Sequence, residues 1–256
     1  MLVFNEKFHT YYWEELGNRR ELLSVSKFLK KYKPAFEKQK IAEIYAQKHN
    51  MSIDVVLDNW AQKGKKSTDY GTFIHNSIRH YLLDKTIPCI LGETLQYLKF
   101  LAESELPKKS YAVEDLVIRA GDRNIALFSF LHQWTSKHSV HSLEKAICDL
   151  ELGIAGTYDC LFQNKETGKY ILIDWKTNKE IKMNNRWQKL LAPLNYLDDC
   201  EYINYSLQLS IYKYMIEKQG IEVSNMYIFH ILDNIKMIEV FYMKNEIDLF
   251  VKKICK

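Results

Sequence analysis

Apolar residues alternate with polar ones, or run continuously between turn residues, through the second half of the chain, which is typical of β-strands. The segments with this pattern are residues 143–162, 169–178, 223–232 and 235–243. The first segment is long enough for two strands with a bend near Gly153, and Asp233 with Asn234 suits a hairpin between the last two. Residues 202–220 have instead the spacing of an amphipathic helix that ends at Gly220.

Helical spacing dominates the first half of the chain. The segments that predict helices are residues 24–36, 37–50, 52–64, 68–86, 93–106 and 126–138. Ser24 or Ser26 is a candidate N-cap of the first, which stops near Pro34. Ser52 is the expected N-cap of the third helix, and Gly64 is its expected end.

The order of these elements predicts an α/β fold with a central mixed β-sheet flanked by helices. The length of 256 residues fits one domain, residues 1–256. Within it we expect residues 1–140 to be a mainly helical elaboration that includes the helix of His75. Residues 141–256 are expected to form the sheet-and-helix core.

Composition narrows the function classes only slightly. The net charge is +4, from 36 basic and 32 acidic residues, which permits a polyanionic partner without requiring one. No apolar run reaches the length of a membrane-spanning helix, and charged residues come too early for a secretory signal, so we expect a cytoplasmic protein without membrane contact. The cysteines are Cys89, Cys148, Cys160, Cys200 and Cys255. None forms a C-x-x-C pair, which argues against zinc or an iron–sulfur cluster and favours buried thiols.

Lysines cluster in the first predicted helix, where Lys30 and Lys31 accompany the aromatic residues Phe28, Tyr32 and Phe36. Such interleaving suits contact with phosphates and stacking on bases. A solvated charged face with aromatic core residues explains the same pattern. Both interpretations stay open from composition alone.

Two acids and a lysine stand in the most strand-like part of the chain. Alternation along a strand directs Asp174 and Lys176 to one face, and Asp159 lies on the preceding predicted strand. A carboxylate without partners is very costly to bury, so these groups need either one another or a metal ion. A hard divalent cation such as Mg²⁺ takes oxygen ligands and commonly binds one or two carboxylates together with phosphate oxygens. The residues themselves leave a structural salt bridge and a metal site open.

Several short motifs along residues 24–240 resemble, in order and spacing, those of the PD-(D/E)xK nuclease superfamily, in particular its RecB-like and phage-exonuclease branches. The segments that carry the resemblance are Gly156 to Asp159 with Ile171 to Thr177 ("GxxD…hhDxKT"), Glu144 before them ("vE"), Gly71 to His75 ("GTxxH"), Gln208 with Tyr212 ("QxxxY"), and Ser24 to Ser26 ("SVT"). One departure is Tyr158, which precedes Asp159 where the superfamily's name has proline; this departure is common in the RecB-like branch.

The resemblance implies a role for each of these residues. The implied catalytic residues are Asp159, Asp174, Lys176 and Glu144. The implied metal ligands are His75, Asp159, Asp174 and the backbone carbonyl of Trp175. The candidate nucleic-acid contacts are Gln208, Tyr212, Thr177, Ser24, Ser26, Lys30 and Lys31. Simpler alternatives exist: His75 as a hydrogen-bonded structural residue, Glu144 as a solvated strand residue, Tyr212 as core, and Ser24 with Ser26 as helix caps.

The function implied by the resemblance is a DNA exonuclease dependent on one or two Mg²⁺ or Mn²⁺ ions. Its DNA would be single-stranded or have an accessible end, in recombination, repair or replication of a phage or similar genome. A structure-specific endonuclease of the junction-resolvase kind and a non-catalytic nucleic-acid-binding protein are the alternatives. A homo-oligomer or a recombination partner protein stays open.

Overall fold

The structure is a computed structural model that describes residues 1–5, 8–84, 126–232 and 234–254. The helix expected over residues 93–106 and Asp233 of the expected hairpin turn lie outside the described residues. No helix in the described ranges is both long enough and apolar enough to cross a membrane.

In the described part of the chain, eight strands form one sheet: β1 (Leu2–Asn5), β2 (Thr10–Glu15), β3 (Asn18–Ser24), β4 (His138–Asp149), β5 (Ile154–Asn164), β6 (Tyr170–Lys176), β7 (Val223–Ile231) and β8 (Ile235–Val240). The helices are α1 (Val25–Lys30), α2 (Lys38–His49), α3 (Ile53–Asp84), α4 (residues 126–137), α5 (Glu201–Lys218) and α6 (Lys244–Ile254). The sheet is mixed, because β3 with β5 and β6 with β7 are parallel pairs, while β5 with β6 and β7 with β8 are antiparallel pairs. The expected α/β fold is therefore confirmed.

The strand order opens a gap in the middle of the sheet. It runs β1-β2-β3-β5-β6-β7-β8, with β4 also paired to β5. Because β4 follows β5 along its whole length, β3 and β6 share the other edge of β5. There β3 pairs with Ile154 and Ala155, while β6 pairs only from Cys160 onward. Residues 156–159 thus have no strand beside them on that edge among the described residues, which leaves room for side chains.

Side chains of β6 divide between two apolar layers, as the alternation predicts. Leu172 packs in the layer that contains α1, α5 and α6. Ile171, Ile173 and Trp175 pack in the opposite layer, with residues of α3 and α4. The polar residue Asp174 therefore enters the α5 layer from the same face as Leu172.

The N-terminal part differs from the expectation of a mainly helical segment, since residues 2–24 form the antiparallel meander β1–β3. Aromatic residues that favour strands fill β2, and Tyr11 in it is only 1% exposed. The tight turn after β2 places Leu16 and Gly17 at positive φ, 48° and 81°. These strands were not predicted, because the aromatic segment shows no regular alternation. The described residues 25–84 and 126–137 are mainly helical, as expected.

A second correction concerns Gly64. The two helices predicted over residues 52–64 and 68–86 are one helix, α3, which continues through Gly64. An isolated glycine costs a helix only about 1 kcal/mol relative to alanine, so it need not end one. The N-cap prediction is confirmed, because the Ser52 hydroxyl accepts a hydrogen bond from Val55 N at 3.3 Å.

Candidate active site

Asp159 and Asp174 meet where β5 and β6 separate. The last pair of their antiparallel ladder is Cys160 with Ile173, and the next residue towards the gap on each strand is an aspartate. Asp159 Oδ2 accepts a hydrogen bond from the backbone nitrogen of Trp175 at 2.8 Å. This bond takes the place of the next ladder contact and fixes one carboxylate against the neighbouring strand.

Lys176 neutralises Asp174. The two side chains form an ion pair and are 19% and 4% exposed. The lysine Nζ also lies 4.8 Å from the centre of the Tyr205 ring on α5, a cation–π contact. Asp174 Oδ2 is shielded from solvent, and the Lys176 ammonium is the partner that it contacts. The ammonium group is therefore its electrostatic compensation, and the oxygen keeps lone pairs for a second cation.

His75 approaches from the opposite layer. Its Nδ1 lies 3.7 Å from Asp159 Oδ1, with the two side chains 30% and 15% exposed. Gly71, one turn earlier on α3, lies beside Thr177, since a Cβ there would be 3.4 Å from Thr177 Oγ1, an ordinary van der Waals distance. Thr177 thus contacts α3, while its contact with nucleic acid stays a prediction.

The charges of the site oppose one another. Burial, with the charge of Asp174, raises the pKa of Asp159 from 3.8 to about 6, against the opposing effects of His75, Lys176 and the Trp175 N–H. Burial also lowers the pKa of Lys176, but the two aspartates outweigh it and leave that pKa above its ordinary value. Without a further cation, the site holds a protonated Lys176 together with Asp159, whose raised pKa disfavours its charged form.

Glu144 lies beside this group on β4, between the positions paired with Tyr158 and Cys160. Its backbone φ of 46° is unusual for a residue with a side chain. The carboxylate forms a 3.1 Å ion pair with Arg79 Nε, and Arg79 follows His75 by one turn of α3. The structure thus places Glu144 at the border of the site, and its catalytic role stays a prediction.

Gln208 and Tyr212 pack beneath the site. Tyr212 is 4% exposed, and a Cβ on Gly156 would lie 2.6 Å from its hydroxyl. Burial raises the pKa of Tyr212, opposed by a hydrogen bond with the Gln208 side chain. The burial of Tyr212 favours the core alternative over a direct nucleic-acid contact.

Ser24 is the N-cap of α1, since its side chain accepts a hydrogen bond from Lys27 N at 3.2 Å. Ser26 is exposed and lies 3.2 Å, Oγ to Oγ, from Ser24. Lys30 and Lys31 are exposed at the C-terminal end of α1. The cap role of Ser24 is thereby accounted for, and contacts of these four residues with nucleic acid stay predictions.

Sequence reasoning missed residues that support the site. Tyr205 lies against Lys176 and is three residues before Gln208. The helical spacing of Gln208 and Tyr212, continued towards the N-terminus, therefore places Tyr205 on the same face of the helix. His230 Nε2 donates a 2.6 Å hydrogen bond to the carbonyl of Asn178, just beyond Lys176. Nothing in the sequence signals this bond, because it depends on the parallel pairing of β6 with β7.

The donor set fits a hard divalent ion in part. Two carboxylates converge, and the buried Asp174 Oδ2 has the Lys176 ammonium as its partner. No group of three His, Cys, Asp or Glu side chains among the described residues is arranged to hold a metal by itself. Mg²⁺ commonly takes one or two carboxylates and completes its shell with water and substrate phosphate. The site therefore suits an ion that binds together with its substrate.

A sheet of this topology with two carboxylates and a lysine at a strand junction is the arrangement of a hydrolytic nuclease. The model of the PD-(D/E)XK nuclease superfamily matches residues 48–248, and the chain belongs to this superfamily. No curated protein matches the chain. Among solved structures, SSO0001 is similar at 18% sequence identity and a TM-score of 0.28, over 71% of this chain and 70% of that one.

Proposed function

We propose that the protein is a divalent-metal-dependent DNA exonuclease. The observation that carries this proposal is the convergence of Asp159, Asp174 and Lys176 at the strand gap, with His75 facing them. Membership of a nuclease superfamily supports phosphodiester hydrolysis. The choice of exonuclease within it rests on the resemblance of the short motifs to the RecB-like and phage-type branch, as does a role in recombination, repair or replication.

The residues divide the work of hydrolysis. Asp159, Asp174, His75 and the carbonyl of Trp175 would hold Mg²⁺ or Mn²⁺, which when bound lowers the pKa of a coordinated water and offsets phosphate charge. Lys176 keeps its proton, since its pKa is raised. Its ammonium donates to the attacking water or to a phosphate oxygen, and it offsets the negative charge that develops during in-line displacement.

The direct test is incubation of the purified protein with end-labelled linear DNA, with Mn²⁺ and with EDTA. We expect nucleotides to be released from an end only with the metal. Asp174→Asn and Lys176→Ala should each lower the rate at least about 100-fold, because each removes a charge from the transition state. Asp248→Asn is a matched control, since Asp248 lies on α6 and pairs with Lys244.

Each alternative predicts a different result. A structure-specific endonuclease of the junction-resolvase kind would cut circular single-stranded DNA, which has no end and which an obligate exonuclease leaves whole. A nucleic-acid-binding protein would bind DNA in EDTA and Mn²⁺ alike and cut neither. Wild-type cleavage by Asp174→Asn would overturn the assignment of the site.

A further inference from the structure

Trp187 is the observation from which a further inference starts. Its side chain is 97% exposed, although tryptophan is highly buried on average. It lies in the connection of residues 177–200, which joins β6 to α5. Met183 in the same connection is 53% exposed. Two exposed apolar side chains on one connection make this connection a candidate interaction site.

The turn that carries Trp187 is held by hydrogen bonds. Asn185 Oδ1 accepts from Trp187 N at 3.1 Å, and Asn185 Nδ2 donates to Asp199 O at 2.8 Å. Asp198 accepts from Asn185 N at 2.9 Å and pairs with Lys189 Nζ at 2.5 Å. These bonds fix the turn that carries the indole. Ordering of this turn therefore takes little free energy from the binding of a ligand.

Two cations lie near Trp187 on its connection, and the next residue lines a groove. Arg186 and Lys182 are exposed, and neither has an ion-pair partner in the described ranges. Gln188 lines a groove of about 780 Å³ together with Lys30 and Phe36. Phe36 is 68% exposed, whereas the other aromatic residues of that segment lie in the core. The two acids that line the groove, Glu37 and Asp199, pair with Lys40 and Lys33, whereas Lys30 has no ion-pair partner in the described ranges. The surface of the connection and the groove thus carries two exposed rings and cations without a partner.

This surface is joined to the candidate active site by the chain itself. The connection starts directly after Lys176, and the Lys182 carbonyl accepts a hydrogen bond from Tyr202 N at 3.1 Å. Tyr202 is one turn before Tyr205, the residue against which Lys176 lies. At the other end, Leu191 N donates to the carbonyl of Tyr32, at the end of α1, at 2.7 Å.

We propose that Trp187 stacks on an unpaired base of single-stranded DNA, with Arg186 and Lys30 meeting its phosphates. This inference rests on the proposed function, because it names the form of DNA that the nuclease would hold. Base stacking on aromatic residues beside a basic groove is how proteins bind single strands without sequence preference. Cations without ion-pair partners favour a polyanion such as DNA as the occupant.

The test measures binding of fluorescein-labelled (dT)20 and of a 20-base-pair blunt duplex in EDTA. Trp187→Ala should weaken (dT)20 binding roughly 5- to 100-fold, the range for loss of one stacked base. Trp187→Phe should stay within about threefold of wild type, because phenylalanine still stacks. Quenching of tryptophan emission by unlabelled (dT)20 should occur in wild type and be lost in Trp187→Phe. Duplex binding should change less than twofold.

Phe241→Ala is the matched control. Phe241 is 73% exposed and directly follows β8. Because β8 runs antiparallel to β7 and β6 runs parallel to it, β8 finishes at the opposite end of the strands from Lys176. Unchanged (dT)20 binding in Trp187→Ala, or equal losses for (dT)20 and duplex, would overturn the inference. Unchanged (dT)20 binding with an altered sedimentation coefficient would point instead to protein docking and would also overturn it.

The inference and the proposed function fail separately. A wild-type protein that binds (dT)20 through Trp187 but never cleaves end-labelled DNA keeps the inference and loses the nuclease. A wild-type protein that cleaves DNA while Trp187→Ala binds (dT)20 normally keeps the nuclease and loses the inference.

Discussion

Asp159 is the residue whose charge state depends most on its surroundings. Burial and Asp174 raise its pKa to about 6 in the folded chain, against an ordinary 3.8. A carboxyl group with a raised pKa in the folded state binds a proton more tightly there than in the unfolded chain. Ionised Asp159 therefore destabilises the metal-free fold above pH 6, and this penalty decreases as the pH falls from about 6 towards 4.

Asp159→Asn tests this at the residue scale. In EDTA at pH 8 we expect the variant to be more stable than wild type by on the order of 2 kcal/mol, because the amide carries no charge and still accepts from Trp175 N. Urea unfolding at several pH values should show the advantage shrinking between pH 6 and pH 4. Asp248→Asn, which is 46% exposed, should show no such trend. A difference that stays constant from pH 4 to pH 8 would contradict the raised pKa.

Sequence reasoning found the charged residues of the site but not their supports. Alternation along one strand put Asp174 and Lys176 on the same face, and the structure joins them as an ion pair. The motif resemblance added His75, which faces Asp159. Arg79 escaped because its contact with Glu144 joins distant elements, and no local pattern encodes it. Tyr205 is within reach of the helical spacing of Gln208 and Tyr212, but its contact with Lys176 depends on how α5 packs on β6.

At the scale of elements, α5 packs closely on β5 at Gly156, a residue without a side chain. Gly156 leaves the space in which Tyr212 packs, because a Cβ there would be 2.6 Å from the tyrosine hydroxyl and 2.7 Å from Cε1. The sequence offered this glycine and tyrosine as separate motifs. The sequence does not predict their contact, because the position of a helix along a strand depends on tertiary packing.

Gly156→Ala should destabilise the fold by about 1–3 kcal/mol through overpacking against Tyr212. In the same background, Tyr212→Leu should recover part of the loss, because it removes both close ring atoms. Gly64→Ala is the matched control: a Cβ at Gly64 meets nothing within 4 Å. It should stabilise the continuous helix α3 by about 0.5–1 kcal/mol. Guanidinium denaturation measures all three, and a neutral Gly156→Ala would contradict the close packing.

Element boundaries were predicted less well than element types, and for a physical reason. The strands β4 to β8 follow from alternation and turn residues, apart from a turn at Asp233 that lies outside the described residues. The meander β1–β3 escaped because Tyr11 and Leu22 pack on Ala155 of β5, far along the chain. The prediction divided α3 at Gly64, because it gave the low helix propensity of glycine more weight than the packing of the continuous helix.

At the scale of the whole molecule, the first 47 residues lie outside the range of the superfamily match but inside the packed fold. Phe28 of α1 and Tyr32, just beyond its end, contact Phe250 of α6, with ring centroids 5.0 Å and 5.1 Å apart. The Tyr11 hydroxyl lies 3.0 Å from Thr157 Oγ1, two residues before Asp159. We therefore propose that residues 1–256 fold as one domain.

A one-domain fold predicts a single calorimetric unfolding transition. Tyr11→Ala should lower the free energy of unfolding by about 3 kcal/mol, because it empties a site that is 1% exposed, and should move the whole transition. Leu16→Ala, at a turn position that is 97% exposed, should leave the transition where it is. If the meander were an independent unit, Tyr11→Ala would shift only a first, smaller transition and leave the nuclease core at its own melting temperature. The shared shift is expected because β3 pairs with Ile154 and Ala155 of β5 through Leu23 and Ser24, directly before the strand gap that holds the candidate catalytic aspartates.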